Sequence, residues 1–189
     1  MPTELDEQFE QLLEAMKKAE RVLQDAGLKH ALGGGLACWA RGGPKTEHDV
    51  DFAVKPEDAE LAQQALGAAG WRTERPPEGW LLKAYDENET LVDLIYDPQG
   101  GAVDDELLDR ADVMEVHAAR MPVMRLEDVM VQKLLALTEQ NPDYSSVLEI
   151  ARSLREQIDW DDVRERTKDH PFGAAFFTLL DELDIVPAA

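Results

Sequence analysis

Asp49 and Asp51 stand two positions apart in His48–Val54, where Val50, Phe52 and Val54 alternate with Asp49, Asp51 and Ala53. Strict alternation predicts a half-buried strand with both acids on one face, their side-chain bases about 6.5 to 7 Å apart at a rise of about 3.3 Å per residue. Two carboxylates so placed can share one or two divalent ions, and Mg²⁺ takes oxygen ligands together with phosphate and water. The same pair also reads as an exposed strand face in a very acidic protein. His48 falls on the opposite face, away from the acids.

Asp93 interrupts Leu91, Val92, Leu94 and Ile95 in Thr90–Tyr96, a strand otherwise apolar on both faces. A buried acid needs a partner, here an arginine or a metal. If this strand lies beside that of Asp49, three carboxylates converge, as in-line phosphoryl or nucleotidyl transfer with two metal ions requires. Asp86 and Asp97 flank the same strand and are weaker choices for the third acid.

Three further signals bear on a phosphate ligand. Gly33, Gly34 and Gly35 precede the acids, Gly35 by fourteen positions; glycines let backbone N–H groups approach a phosphate, but also serve ordinary tight turns. Thr46, three positions before Asp49, offers a hydroxyl to a phosphate or caps the turn. Lys133 falls inside the apolar stripe formed by Leu126, Val129, Met130 and Leu137, where a lysine either snorkels outward or reaches into a site.

The elements that must position these residues follow from periodicity. Residues 6 to 25 place Phe9, Leu12, Leu13, Met16, Ala19 and Leu23 at helical spacing with Gly27 just beyond, an amphipathic helix with a glycine stop. A helix from Glu57 to Ala69 follows the acid strand, and strands Trp80–Tyr85 and Thr90–Tyr96 are joined by the turn Asp86–Glu89. After Pro122 the pattern turns helical over Leu126–Glu139, Asp143–Gln157, Asp159–Lys168 and Phe172–Leu183. We therefore expect an α+β core over 1–122, with a small mixed or antiparallel sheet, and a C-terminal helical region over 123–189.

Composition narrows the function. Lys+Arg number 19 against 40 Asp+Glu, a formal net charge of −21, so the surface as a whole repels phosphate backbones and argues against a generic DNA coat. The apolar runs fall short of a membrane span, and the N-terminus MPTELDEQFE does not read as a signal peptide. A lone cysteine, Cys38, forms no internal disulfide, fits the cytoplasm, and reads as a small core residue. His30, His117 and His170 have no ligand spacing. Trp71 and Trp80 either pack in the core or line a base or acceptor pocket, and the arginine pairs Arg152/Arg155 and Arg164/Arg166, interleaved with acids, read as a solvated helix face, with an RNA track as the lesser alternative.

Taken together, LGGGLACWARGGPKTEHDVDFAV, Leu32 to Val54, with Asp93 beyond it, resembles the polymerase-β-like nucleotidyltransferase superfamily, in particular the aminoglycoside-type and AbiEii-like toxin nucleotidyltransferases. The resemblance covers roughly the first half of the chain. It implies a minimal nucleotidyltransferase fold, two Mg²⁺ ions, and transfer of a nucleoside monophosphate from an NTP such as ATP to an acceptor hydroxyl. By motif position, Gly34 and Gly35 would contact the triphosphate, Asp49 and Asp51 would hold metal, and Asp93 would hold metal or act as base. Lys133-Leu134-Leu135-Ala136-Leu137 is similar to a Lys-Leu-x-Ala-Leu context whose lysine faces the nucleotide in the AbiEii-like families. Gln140-Asn141-Pro142-Asp143-Tyr144 departs from the basic grouping of the toxins, and Asp143 reads more simply as a helix-capping acid. The acidic balance favours a small or cationic acceptor; a tRNA-modifying toxin and a catalytically silent binding protein of the same fold are the alternatives.

Overall fold

The computed structural model describes residues 4–46 and 49–186. His48 lies outside them. Helix α1 (Glu4–Asp25) leads into strand β1 (His30–Leu32), the short helix α2 (Gly34–Trp39), β2 (Val50–Val54), α3 (Pro56–Ala68), β3 (Arg72–Glu74), β4 (Leu81–Tyr85) and β5 (Leu91–Ile95). Then follow α4 (Asp105–Asp109), β6 (Asp112–Val116), β7 (Ala119–Val123), α5 (Leu126–Leu135), α6 (Ser145–Leu154), α7 (Trp160–Thr167) and α8 (Pro171–Glu182). The strands form one seven-stranded mixed sheet in the order β3-β4-β5-β2-β1-β7-β6.

Alternation along β2 decides which helix covers which face. Val50, Phe52 and Val54 are fully buried; Phe52 packs edge-on against His30, with ring centroids 5.6 Å apart, and α1 and α3 cover this side. The α1 residues that reach the core are those of the predicted stripe, Phe9, Leu12, Leu13, Met16, Ala19 and Leu23. Gly27, at φ +69, ends the run in a conformation other residues adopt at a cost. On the opposite face α2 packs on β2 and against α5, around which α6, α7 and α8 gather.

Six elements escape the periodicity argument: β1, α2, β3, α4, β6 and β7. The β6–β7 turn places His117 and Ala118 at φ 47 and φ 63, two consecutive left-handed residues as a tight hairpin requires, without the Asn-Gly or Asp-Gly that usually marks one. Pro122 sits inside β7, paired with Val113 of the edge strand, which explains why the strand reads as a boundary. Helix α5 ends at Leu135 rather than at residue 139, and Thr138 and Asn141 bridge the turn beyond it. The strand of the acid pair starts at Val50, so Asp49 immediately precedes it.

Candidate active site

The parallel pairing of β2 with β5 sets Asp51 directly opposite Asp93. With Asp49 they form a cluster in which one carboxylate oxygen from each residue lies within 4.8 Å of the others. The convergence expected of the three acids is thus produced by strand register. Asp93 is 6% exposed, and its partner is a lysine, not the arginine weighed above: Lys83, paired with it across β4 and β5, brings its Nζ to 3.3 Å from the Asp93 Oδ1.

The crowding has an electrostatic signature. Burial, reinforced by Asp49 and Asp93 and opposed by the cations of Lys133 and Lys83, pushes the Asp51 carboxyl up to about 7. Burial likewise raises Asp93, against the pull of Lys83. Burial also works against the charge of Lys83, but the Asp93 carboxylate prevails and its pKa lies above the ordinary lysine value. An all-oxygen donor set whose members repel one another fits a hard divalent cation, which relieves the repulsion and completes its shell with water or phosphate.

The glycine turn packs against this cluster. Gly33 donates its N–H to the Asp51 carbonyl at 2.8 Å. Gly34 has φ +55, and a Cβ there would lie 1.6 Å from the Asp51 Oδ2, so glycine is demanded by conformation and by space. A Cβ on Gly35 would lie 2.6 Å from the Thr46 Cβ and 2.7 Å from its Oγ1. Gly35, Thr46, Asp49, Asp51 and Lys133 line one cleft of about 590 Å³. Lys133, in the last turn of α5, has no carboxylate within ion-pair distance among the described residues and lowers Asp51 through space.

A larger cleft of about 760 Å³ holds Arg41, Arg110 and Arg166, but these arginines are occupied. Arg110 and Arg166 each donate to the Asp128 Oδ1 at 2.8 Å, and Arg41 donates to Asp112 at 2.9 Å and to the Met124 carbonyl at 3.0 Å. Size alone therefore does not mark the active site. The acid cleft is the one that holds members of the three-carboxylate cluster, Asp49 and Asp51, together with Lys133, which has no ion-pair partner among the described residues.

The sequence matches, over residues 12–174, the family described as "Nucleotidyl transferase of unknown function (DUF2204)". The chain belongs to this nucleotidyl transferase family. A search of curated proteins finds no match. Among solved structures, the chain is similar to the antibiotic-resistance factor ANT(2'')-Ia in solution, at 13% identity and a TM-score of 0.63, with 93% of this chain and 96% of that one covered. A crystal structure of ANT(2'')-Ia with adenylyl-2''-tobramycin gives 14% identity and a TM-score of 0.61, covering 88% of this chain and 97% of that one. The lincomycin-bound lincosamide antibiotic adenylyltransferase LnuA gives 14% and 0.51, covering 73% and 92%. These likenesses show the nucleotidyltransferase fold.

Several residues of the transferase fall elsewhere than the chemistry would place them. Asp86 accepts from the N–H groups of Asn88 and Thr90 at 2.8 and 2.9 Å, which fixes the β4–β5 turn. Asp97, His30, His117 and His170 are not in the acid cluster. Asp143 accepts from the Ser145 N–H at 2.8 Å, at the start of α6. Cys38 is buried at the wall of the acid cleft, where burial pushes its thiol up to about 11 and disfavours the thiolate. Trp71 packs in the core while Trp80 is 38% exposed, and neither lines the acid cleft. Arg166 clamps Asp128 instead of lying on a purely solvated face, and Arg164 stacks 4.2 Å from the Phe177 ring centroid.

Sequence reasoning passed over Lys83, although a cation within an apolar strand carries the same signal as Asp93. It also passed over Ser146 and Glu149 on α6, which line the cleft together with Asp49 and Asp51. Their helix starts only after the Asp143 turn, so no spacing rule connects them to Asp49.

Proposed function

We propose that this nucleotidyl transferase moves a nucleoside monophosphate from an NTP, ATP being the first choice, to a hydroxyl of a small acceptor, using Mg²⁺ at the acid cluster. The observation that carries this reading is the meeting of Asp49, Asp51 and Asp93 within 4.8 Å, beside a glycine turn with no room for side chains. Bound Mg²⁺ would supply charge neutralisation of the triphosphate and of the leaving pyrophosphate. Two ions are the number the family resemblance implies.

The chain's own residues would do the remainder. Asp49 and Asp51 would hold the metal, and the Gly34 and Gly35 backbone would admit the phosphates closely. Lys133 supplies a cation to the triphosphate, with Thr46 as a hydroxyl donor beside it. Asp93 is the third acid. As a base it takes the acceptor hydroxyl proton, the acceptor oxygen bonds to the α-phosphorus, and the bond to the β-phosphate oxygen breaks to release pyrophosphate.

Domain roles follow from the same cleft. Residues 1–122 form the nucleotidyltransferase core, and the helical region over 123–189 contributes Lys133, Ser146 and Glu149 to the lining of the cleft. Two observations favour a small acceptor over RNA. The net charge is −21, and Glu149 adds another carboxylate to the cleft wall, both of which oppose a polyanion and suit a cationic molecule. Tobramycin and lincomycin, named in the similar structures, are natural first acceptors to try. Among the described residues no helix is long and apolar enough to cross a membrane; the cytoplasmic location that belongs to this reading rests on the lone cysteine.

The decisive experiment incubates the protein with each NTP, Mg²⁺ and a panel of aminoglycosides and lincosamides, then a small-molecule cell extract. Mass spectrometry should find a product heavier by one nucleoside monophosphate residue. Absence of any such product with every NTP and acceptor would reject the enzymatic reading in favour of nucleotide binding alone.

A further inference from the structure

The acid cluster contains a cation that the metal reading leaves unused. Strand register sets Asp51 of β2 opposite Asp93 of β5, and Asp93 opposite Lys83 of β4. Residues paired directly in register share a sheet face, so acid, acid and ammonium form one row across three strands. The Lys83 Nζ lies 3.3 Å from the Asp93 Oδ1, with side-chain exposures of 23% and 8%. β4 is paired on both sides, with β3 and with β5, so the backbone that carries Lys83 is fixed.

Charge arithmetic gives this row a consequence. The three ionised carboxylates carry −3; one divalent ion held by Asp49 and Asp51 together with Lys83 already balances them, and Lys133 adds a further positive charge near Asp51. A second dication on Asp93 would sit within a few ångströms of a partly buried ammonium, where repulsion is weakly screened. Withdrawing Lys83 to make room would strip a buried carboxylate of its partner.

Resting on the metal-dependent reading above, we propose that Lys83 is a fixed cation of the acid cluster, a positioning residue that withholds Asp93 from metal in the nucleotide-free protein. Asp49 and Asp51 then bind a single divalent ion, and Asp93 is kept as the acid that faces the acceptor.

Mn²⁺ binding to the full chain without nucleotide, followed by calorimetry and electron paramagnetic resonance, tests this without reference to activity. The wild type should bind one ion. Asp51→Asn should lose it, whereas Asp93→Asn should still bind one. Lys83→Met should gain a second site or bind the first about tenfold more tightly, and Lys83→Arg, which restores the charge, should return to one ion at wild-type affinity. Circular dichroism checks that each variant is folded, and Asp93→Asn decides the matter if Lys83→Met is not. Loss of the ion in Asp93→Asn, two ions in the wild type, or identical titrations for wild type and Lys83→Met would each overturn the role of Lys83. Failure of the wild type to bind Mn²⁺ would overturn the metal reading itself, before any Lys83 variant is consulted.

Discussion

Gly34 and Asp51 occupy each other's space: a Cβ on Gly34 would fall 1.6 Å from the Asp51 Oδ2 and 2.6 Å from its Cγ. The carboxylate lies over bare backbone, and that backbone has φ +55. Gly34→Ala must therefore push the Asp51 side chain aside while placing alanine in a left-handed conformation. We expect a loss of at least about 2 kcal/mol of stability from strain and overlap together, seen as a lower melting temperature. Nucleotide transfer should fall further than stability does, because the displaced atom belongs to the acid cluster. Wild-type melting and turnover in the Gly34→Ala variant would contradict the packing described.

Asp51 gives a pH prediction whose sign is fixed by the direction of its shift. Its carboxyl is raised from an ordinary 3.8 to about 7 in the folded chain, so the folded state retains a proton that the unfolded state has released between those values. The metal-free protein then loses stability as pH rises across that window, with a slope from this group of at most about 1.4 kcal/mol per pH unit. Asp51→Asn removes the titration and should be more stable than wild type at pH 8 without metal, while losing Mg²⁺-dependent turnover. Mg²⁺ should raise the wild-type melting temperature more at pH 8 than at pH 5, since the ion must displace that proton. Chemical denaturation at the two pH values, with and without Mg²⁺, provides the check.

For Lys133, stability and binding should separate. It lines the cleft with Asp49 and Asp51 and has no ion-pair partner among the described residues, so Lys133→Met forfeits no salt bridge to them. The apolar neighbours on α5 accept methionine readily. At pH 5, where Asp51 keeps its proton, thermal stability should hold or rise slightly, and NTP affinity measured by calorimetry should fall by about tenfold, as for loss of one charge-assisted phosphate contact. Unchanged affinity would make Lys133 a snorkelling surface residue.

The site was more legible in the sequence than the sheet that builds it. Asp49 and Asp51 take the polar face of an alternating strand and Asp93 interrupts an apolar one, and both patterns are visible without coordinates. Their meeting depends on the parallel register of β2 with β5, a non-local pairing that no local pattern specifies. β6 and β7 were hidden because Val113, Glu115 and Arg120 point outward while Pro122 reads as a break, and because His117 and Ala118 turn the hairpin without glycine. Asp128 was hidden differently: in α5 it resembles any first-turn acid, and its 2% exposure depends on arginines 18 positions before it and 38 after.

That arginine pair carries the fourth prediction. Asp128 accepts from Arg110 and Arg166 at 2.8 Å each, tying α7 and the end of α4 to α5. Asp128→Ala leaves two guanidinium groups facing each other over an emptied site. Breaking a buried pair from one side costs about 3 to 5 kcal/mol; because each arginine is about one third exposed, we expect about 2 to 3 kcal/mol. Urea denaturation should show this loss, while the folded fraction keeps wild-type affinity for NTP, since the pair lies outside the acid cleft. Equal losses in stability and NTP affinity would link the two clefts.

Salt dependence separates the acceptor classes. An RNA held by several lysine or arginine contacts releases counterions on binding, so log K falls steeply with log salt, by nearly one unit for each phosphate neutralised on a duplex. A small cationic acceptor exchanges few ions and gives a shallow slope. The transferase carries 19 basic against 40 acidic residues, and many of its exposed cations are committed to neighbouring acids, as in Lys17–Glu14, Lys18–Glu87 and Arg110–Glu106. We therefore expect no measurable binding of bulk tRNA at about 0.15 M salt, where surface charges are screened over about 8 Å. Filter binding or fluorescence anisotropy across a salt series measures this directly. Tight tRNA binding with a steep slope would move the acceptor from a small molecule to RNA, while leaving the assignment of Asp49, Asp51 and Asp93 as it stands.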